Sequence, residues 1–446
     1  MSLELRRGQK GQWVGTVDPR AEHMALFAPI VYATMENAFQ NAQLATQATQ
    51  ATQATATTRP PNPSANRSTE LHLSVSMPVD AQPGDDLPVV AFVHGGAFIA
   101  GSRTEGWFHG SGFTRDQVVL VTIDYRLSAP GFLPFGDDLP NHYRGVDDVH
   151  LALAWIQRNI EDFGGDPTNV TLMGQSAGGG IVLWLSRADH FDGMFRRVWA
   201  MSPGLPRDHV AAHQTSLRAA LGMPLTRSAL AKAKPAKLQR GLERYHKLRF
   251  SGIPFGPAPL DPQDLARVDM VLTSTSAEFW HAPRGRKVDA SRFGQSAFGR
   301  RQIAKMYGAT SKYVDYVEAN GRQMAANVVG DAFIRSTVAK AALGANPDVW
   351  VAQYEGRNAF HCVDIPLVFD SAVFVQPGKI EVIPNPPEAL VQRVHGLAVD
   401  FARGNTPSWP RYQQHRQALS IATESPEAGA ITLKSGTLDY LDGAFA

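Results

Sequence analysis

Residues 170–178 read VTLMGQSAG, and the fold turns on this stretch. VTLMGQ (170–175) is short, apolar and nearly unbroken, the pattern of a strand covered on both faces. GQSAG (174–178) fits G-x-S-x-G, and GGGIVLWLSR follows it as a candidate helix. A serine projecting from a sharp strand-to-helix turn sits on strained backbone, so the positions two residues either side must be small. Gly174 and Gly178 meet that need. Backbone N–H groups at the helix start, together with its dipole, favour negative charge developing beside Ser176. An incidental serine in a Gly-rich turn is the bland alternative; the strand before and the helix after argue against it.

Working outward, LPVVAFVH (87–94) and VVLVTIDY (118–125) are further apolar runs suited to central strands. LHLSVSM (71–77) alternates, which predicts a half-buried strand. Val146, Val149, Leu153, Ile156 and Ile160 step by three and four and form one helix face, broken by FGGDPTN (163–169). VWAMS (198–202), VDMVLTS (268–274) and VWVAQYE (349–355) read as later strands. Strands alternating with helices predict the α/β class: a mostly parallel central sheet with helices on both faces. No linker follows residue 68 and no repeat is visible, so residues 1–446 are expected to form a single catalytic domain. Residues 44–68 start as an Ala/Thr/Gln run and continue as RPPNPSANRS. They lack large apolar residues and are expected to be a surface loop, or alternatively a flap near a substrate entrance. The polar, Lys/Arg-rich segment 205–250 is expected to be a variable, solvated helical surface. Its short charge cluster lacks the regularly interleaved aromatics of a basic binding patch.

HGGAF (94–98) directly follows the run ending at Val93. Glycines let backbone approach a substrate closely, and preorganised N–H donors stabilise a tetrahedral oxyanion, each at about 3–4 kcal/mol. Gly96, Ala97 and Ala177 are the candidate oxyanion-hole donors, with His94 read as structural. A nucleophilic serine also needs a base, and the base an orienting carboxylate. On this kind of turn they follow the serine as acid then histidine, on loops after later strands. Glu278 lies just beyond VDMVLTS and His361 just beyond VWVAQYE. His395 falls in an apparent helix, His281 is too near Glu278 in sequence, and Asp264 and Asp269 come before or at the start of their strand.

Lys plus Arg (43) nearly balances Asp plus Glu (41), so there is no general field to draw nucleic acid or an anionic membrane. No run of about 18 apolar residues could span a bilayer. The single cysteine, Cys362, cannot form an intrachain disulfide, and the first residues lack an apolar signal core; a cytoplasmic protein is the expectation. No HExxH, Cys/His cluster or P-loop occurs, so neither cofactor nor metal is implied. Phe98, Trp107, Phe108, Phe279 and Trp280 are either pocket or core.

Taken together the motifs resemble the type B carboxylesterase/cholinesterase family, including bacterial p-nitrobenzyl-esterase-like members of the α/β-hydrolase fold. VVAFVHGGAFIAGS resembles its oxyanion segment, and VVLVTIDYRLSAPGFLPF is similar to a family strand and loop, with Asp124 for Asn. DDVHLALAWIQRNIEDFGGDPTNVTLMGQSAGG is the closest stretch; NAFHCVDIPLVFD and VDFARGNTPSWPRY also match family patterns. The resemblance covers residues 70–420. It implies Ser176, Glu278 and His361 as a triad, with Gly96, Ala97 and Ala177 as the oxyanion hole. Gln175 replaces the usual Glu, A-E-F replaces D-E-G around Glu278, Cys362 replaces a glycine, and the usual E-D-C-L near Glu70 is absent. The expected activity is hydrolysis of neutral carboxylic esters, with a small-molecule ester as the partner. Amide or carbamate hydrolysis by the same residues, and a non-catalytic binding module, are the alternatives.

Overall fold

The computed structural model describes residues 4–8, 13–46, 69–249, 252–279, 283–356, 359–371, 386–423 and 431–445. Residues 47–68 of the expected surface loop lie outside these, as do Trp280 and His281. The strands are β1 (Glu4–Arg7), β2 (Trp13–Asp18), β3 (Ala21–Thr34), β4 (Gln43–Leu44), β5 (Glu70–Pro78), β6 (Leu87–Val93) and β7 (Val119–Ile123). They continue as β8 (Gly165–Gln175), β9 (Arg197–Met201), β10 (Asp269–Thr275), β11 (Val349–Glu355), β12 (Gln417–Ala422) and β13 (Ile431–Ser435). All join one sheet in the order β1-β2-β3-β5-β7-β6-β8-β9-β10-β11-β12-β13, with β4 paired to β3. From β7 through β12 every pairing is parallel. Antiparallel strands extend both edges.

The two-faced burial read from the apolar runs is visible residue by residue. Val89, Ala91 and Val93 of β6 point into one apolar layer, and Val90 and Phe92 into the other. In β8, Leu172 joins the first layer and Met173 the second. Fully burying each of the Val, Leu, Phe and Met side chains stabilises by about 1.5–3 kcal/mol. The helix Arg144–Asn159 buries Val146, Val149, Leu153 and Ile156, the face its three-and-four stepping predicts. Gly164, at φ 80°, ends the following 3-10 turn and lets the chain enter β8. β5 departs from expectation: its alternation predicts one wet face, yet everything from Leu71 to Pro78 is buried. It lies between β3 and β7, and its polar Ser74 is satisfied by the Arg103 guanidinium at 2.9 Å. The described part of the polar segment 205–250 holds the helices Gln214–Leu221, Arg227–Ala231 and Pro235–Leu248.

A buried ion pair ties the sheet to the helix layer. Arg126, just beyond β7, donates to both oxygens of Asp148, at 2.8 and 2.5 Å, and Asp148 also takes the Arg126 backbone N–H at 2.9 Å. Both residues are fully buried. Removing one partner leaves an uncompensated buried charge, which costs about 3–5 kcal/mol. Asp148→Ala is therefore expected to lower unfolding free energy by about that amount in denaturant titration, and the double variant Arg126→Met/Asp148→Ala to recover part of the loss.

Candidate active site

Ser176 sits where β8 ends and the helix Ala177–Leu185 begins, at φ 55° and ψ −118°. Left-handed φ on a non-glycine residue stores strain of about 1–3 kcal/mol, and the neighbours show what holds it. A Cβ on Gly178 would stand 2.1 Å from the Val93 carbonyl oxygen, and one on Gly174 2.5 Å from that of Gly178. The helix start is thus pressed directly against the end of β6. Ser176 is also pinned by its backbone: its N–H donates to Met201 O at 2.8 Å, and its carbonyl accepts from Gly180 and Gly204.

The chain brings Ser176, His361 and Glu278 together from the C-terminal ends of three parallel strands. His361 Nε2 is 2.9 Å from Ser176 Oγ, and His361 Nδ1 is 2.5 Å from Glu278 Oε2. The other Glu278 oxygen accepts from the Ser202 hydroxyl at 2.8 Å and the Thr275 N–H at 2.7 Å. The His361 N–H donates to Glu278 O, which locks the two loops in register. Burial opposes charge on Glu278, but the facing His361 and these donors outweigh it and hold the carboxyl below its usual range. Burial likewise favours a neutral His361; the Cys362 sulfur and the Glu278 carboxylate act against it, and the ring lies well above the ordinary histidine value. Asp364, close behind, is pushed up to about 7 by burial and by Glu278.

The loop after β6 supplies the third part. Gly96, Ala97 and Phe98 all have left-handed φ, at 114°, 52° and 61°. Among the described residues, no hydrogen bond engages the N–H groups of Gly96, Ala97 or Ala177, which leaves them open to a ligand. Ala97 and Ala177 line, with Ser176, a cavity of about 530 Å³. Its wall is apolar: Phe98, Phe279, Ile303, Val329, Phe333 and Ile334 contribute, and Arg284 is the one charged residue among the described lining. Phe279 also packs on the His361 ring, centroids 4.6 Å apart. Trp107 and Phe108 lie instead with the second apolar layer.

The other candidates lie elsewhere. His94 is buried, stacked on Tyr125 at 4.6 Å, with Nδ1 2.8 Å from Gly95 O. His395 is buried against Val368 O at 2.6 Å and Asp116 at 3.1 Å. Asp264 pairs with Arg187, and Asp269 opens β10 at the end away from Glu278. Sequence reasoning missed Ser202, which holds the far side of Glu278. It also missed a polar bridge: the Gln175 side-chain amide reaches Cys362 Sγ at 3.2 Å and lies 3.4 Å from His361 Nε2. The only signal for Ser202 was its place at the C-terminal end of a buried strand. Among the described residues no cluster of His, Cys, Asp and Glu could hold a metal ion.

Residues 25–223 match the carboxylesterase family. Bile salt-activated lipase of Homo sapiens is 40% identical over 146 residues, 30% of this chain and 19% of that protein. Carboxylesterase 3B of Mus musculus is 42% identical over 133 residues, 30% of this chain and 23% of that protein. The match spans only about a fifth to a quarter of these relatives' own length. Over the whole chain the likeness is one of fold. The Geobacillus stearothermophilus carboxylesterase EST55 superposes with a TM-score of 0.76, at 23% identity and 100% coverage of both chains. A structure titled PNB esterase superposes at 0.69, with 22% identity and 97% coverage of each. The chain therefore has the α/β-hydrolase fold. The carboxylesterase match includes Ser176 and the 94–98 loop but stops before Glu278 and His361, which are joined to it by the geometry above.

The close approach at Gly178 makes a direct prediction. Gly178→Ala must move the helix start or β6 by more than an ångström, an overpacking cost of about 1–3 kcal/mol. The expected outcome is a lowered Tm, with Ser176 labelling by a fluorophosphonate slowed even where the variant is folded.

Proposed function

We propose that this chain is a serine carboxylesterase that hydrolyses neutral carboxylic esters through an acyl-enzyme on Ser176. The observation that carries the reading is the 2.9 Å approach of His361 Nε2 to Ser176 Oγ at the wall of an apolar cavity. Ser176 Oγ attacks the acyl carbon while its proton passes to His361. The alcohol oxygen takes that proton as the ester C–O bond breaks. Water then attacks the acyl-enzyme, again giving its proton to His361, and Ser176 recovers it as the acid leaves. Glu278 fixes the ring's tautomer and stabilises the imidazolium. The N–H groups of Gly96, Ala97 and Ala177 are free to receive the oxyanion.

The neutral character of the substrate is supported by two features. Gln175 is uncharged, and the described lining offers no carboxylate to a cationic alcohol, whose desolvation would go uncompensated. A single free thiol, Cys362, fits a reducing compartment such as the cytoplasm. Short p-nitrophenyl acyl esters test the activity: wild type is expected to exceed Ser176→Ala by about 10³-fold or more. Equal rates for the two proteins would sink the reading, and a matched anilide hydrolysed faster than the ester would move it to an amidase.

The pH dependence follows from His361. The base must be neutral to accept the serine proton, so kcat/KM is lost as pH falls through the His361 pKa. With that pKa raised, the acid limb is expected at a pH above the ordinary histidine value. Glu278→Gln removes one cause of the rise. It should shift the limb to lower pH and cut the plateau rate by about 10³–10⁴-fold. Asp364→Asn, which removes a weaker influence on the ring, should shift the limb less than Glu278→Gln does, which separates the two groups.

A further inference from the structure

The rim of the cavity carries an unusual surface. Seven large apolar side chains are exposed among the described residues, and four of them sit on one short stretch: Val288 (37% exposed), Phe293 (48%), Phe298 (67%) and Met306 (52%). This stretch is built of the helices Pro283–Ala290, Arg292–Gln295 and Ala297–Met306. Val288, Phe293 and Met306 line the same cavity as Ser176, and Phe298 extends the rim outward, its ring 6.4 Å from that of Phe293. Isolated exposed apolar residues need no explanation; a cluster beside a cavity mouth does.

The charge here is equally uneven. Residues 283–306 hold seven Lys or Arg and one acid, Asp289. That acid is buried, accepting the N–H groups of Ala325 and Ala326 at 2.8 Å each. On Ala297–Met306, Ile303 and Ala304 face inward, while Phe298, Arg301 and Lys305 are all exposed and step by three and four along one outer face. The helix Pro235–Leu248 adjoins: Lys247 and His246 share a surface groove with Arg284, and residues 235–249 carry five Lys or Arg against Glu243 alone. Of the acids on the next helix, Glu318 is occupied by Arg300 at 2.9 Å, and Asp315 is exposed. The whole chain is only +2, so its positive charge is concentrated around this mouth.

We infer that the rim formed by residues 283–306, with the neighbouring helix Pro235–Leu248, docks peripherally on a lipid bilayer bearing anionic headgroups, with the cavity mouth facing the membrane. A surface combining protruding apolar side chains with a basic surround matches an interface that is negative outside and apolar within. A soluble acidic partner would use the charge but leave Phe298 without a role. No helix among the described residues is long and apolar enough to cross a membrane, so the contact is interfacial. Docking would place the cavity at the boundary where acyl chains are found, a consequence that rests on the proposed esterase activity; the docking itself does not.

Co-sedimentation with vesicles tests it, using the full chain and Ser176→Ala so that a failed esterase assay does not decide the outcome. Both proteins are expected to bind 1:1 phosphatidylglycerol/phosphatidylcholine vesicles and to be released by about 0.5 M salt. Binding to pure phosphatidylcholine should be at least tenfold weaker. Arg301→Glu/Lys305→Glu should weaken binding to the anionic vesicles by about tenfold or more, and Phe298→Ser should weaken it several-fold. Both variants are expected to keep the wild-type rate on a water-soluble short-chain ester and the wild-type Tm. Absence of binding to anionic vesicles overturns the inference. So does equal binding to neutral ones, or Phe298→Ser binding as tightly as wild type, the result a purely electrostatic acidic-protein surface would give.

Discussion

The architecture depends on one close contact, the packing of the helix start at Gly178 onto the Val93 carbonyl. It allows the serine turn and the loop 94–98 to occupy adjoining ends of neighbouring parallel strands. A side chain at Gly178 would meet the Val93 and His94 carbonyls and push the helix start off the end of β6, carrying the Ala177 N–H away from the 94–98 loop. The remaining strands then act as a ruler. β9 delivers Ser202, β10 delivers Glu278 and β11 delivers His361, and the hydrogen bonds pass from Ser176 to His361 and then return strand by strand through Glu278 to Ser202.

That ruler explains how much was readable beforehand. Buried parallel strands leave apolar runs with few interruptions, so β6 through β11 stand out, and with them the order of the loops that carry Ser176, Glu278 and His361. Glu278 lay in an unfamiliar local sequence and was found by its place after a strand. The antiparallel edges were harder. β1 is four mostly polar residues, and β3 alternates irregularly between wet and dry positions across its register shifts; neither follows a simple period of two. Ser202 left only its place at a strand end, because a lone serine there has no spacing to betray it. Its role exists only once β9 and β10 are paired. The Gln175–Cys362 contact is hidden for the same reason, being made between residues far apart in the chain.

Charge is the property that the composition conceals most. A near-balance of acids and bases says nothing about where each sign sits. A few acids are held inside the molecule, in pairs such as Arg126–Asp148 and Arg103–Asp124, while residues 283–306 set seven Lys or Arg against the single buried Asp289. An average taken over the whole chain therefore misses a local excess that only the folded surface reveals.

The left-handed residues have an evolutionary consequence. Ala97, Phe98, Ser176, Ser202 and Cys362 all carry positive φ, and all lie at or beside the site. Glycine would relax each of these positions, so mutation toward a more comfortable backbone is always available there. Selection for a robust fold and selection for this site pull in opposite directions at the same few codons. Drift toward glycine at these positions would relax the backbone and loosen the turns that hold Ser176, Glu278 and His361 together.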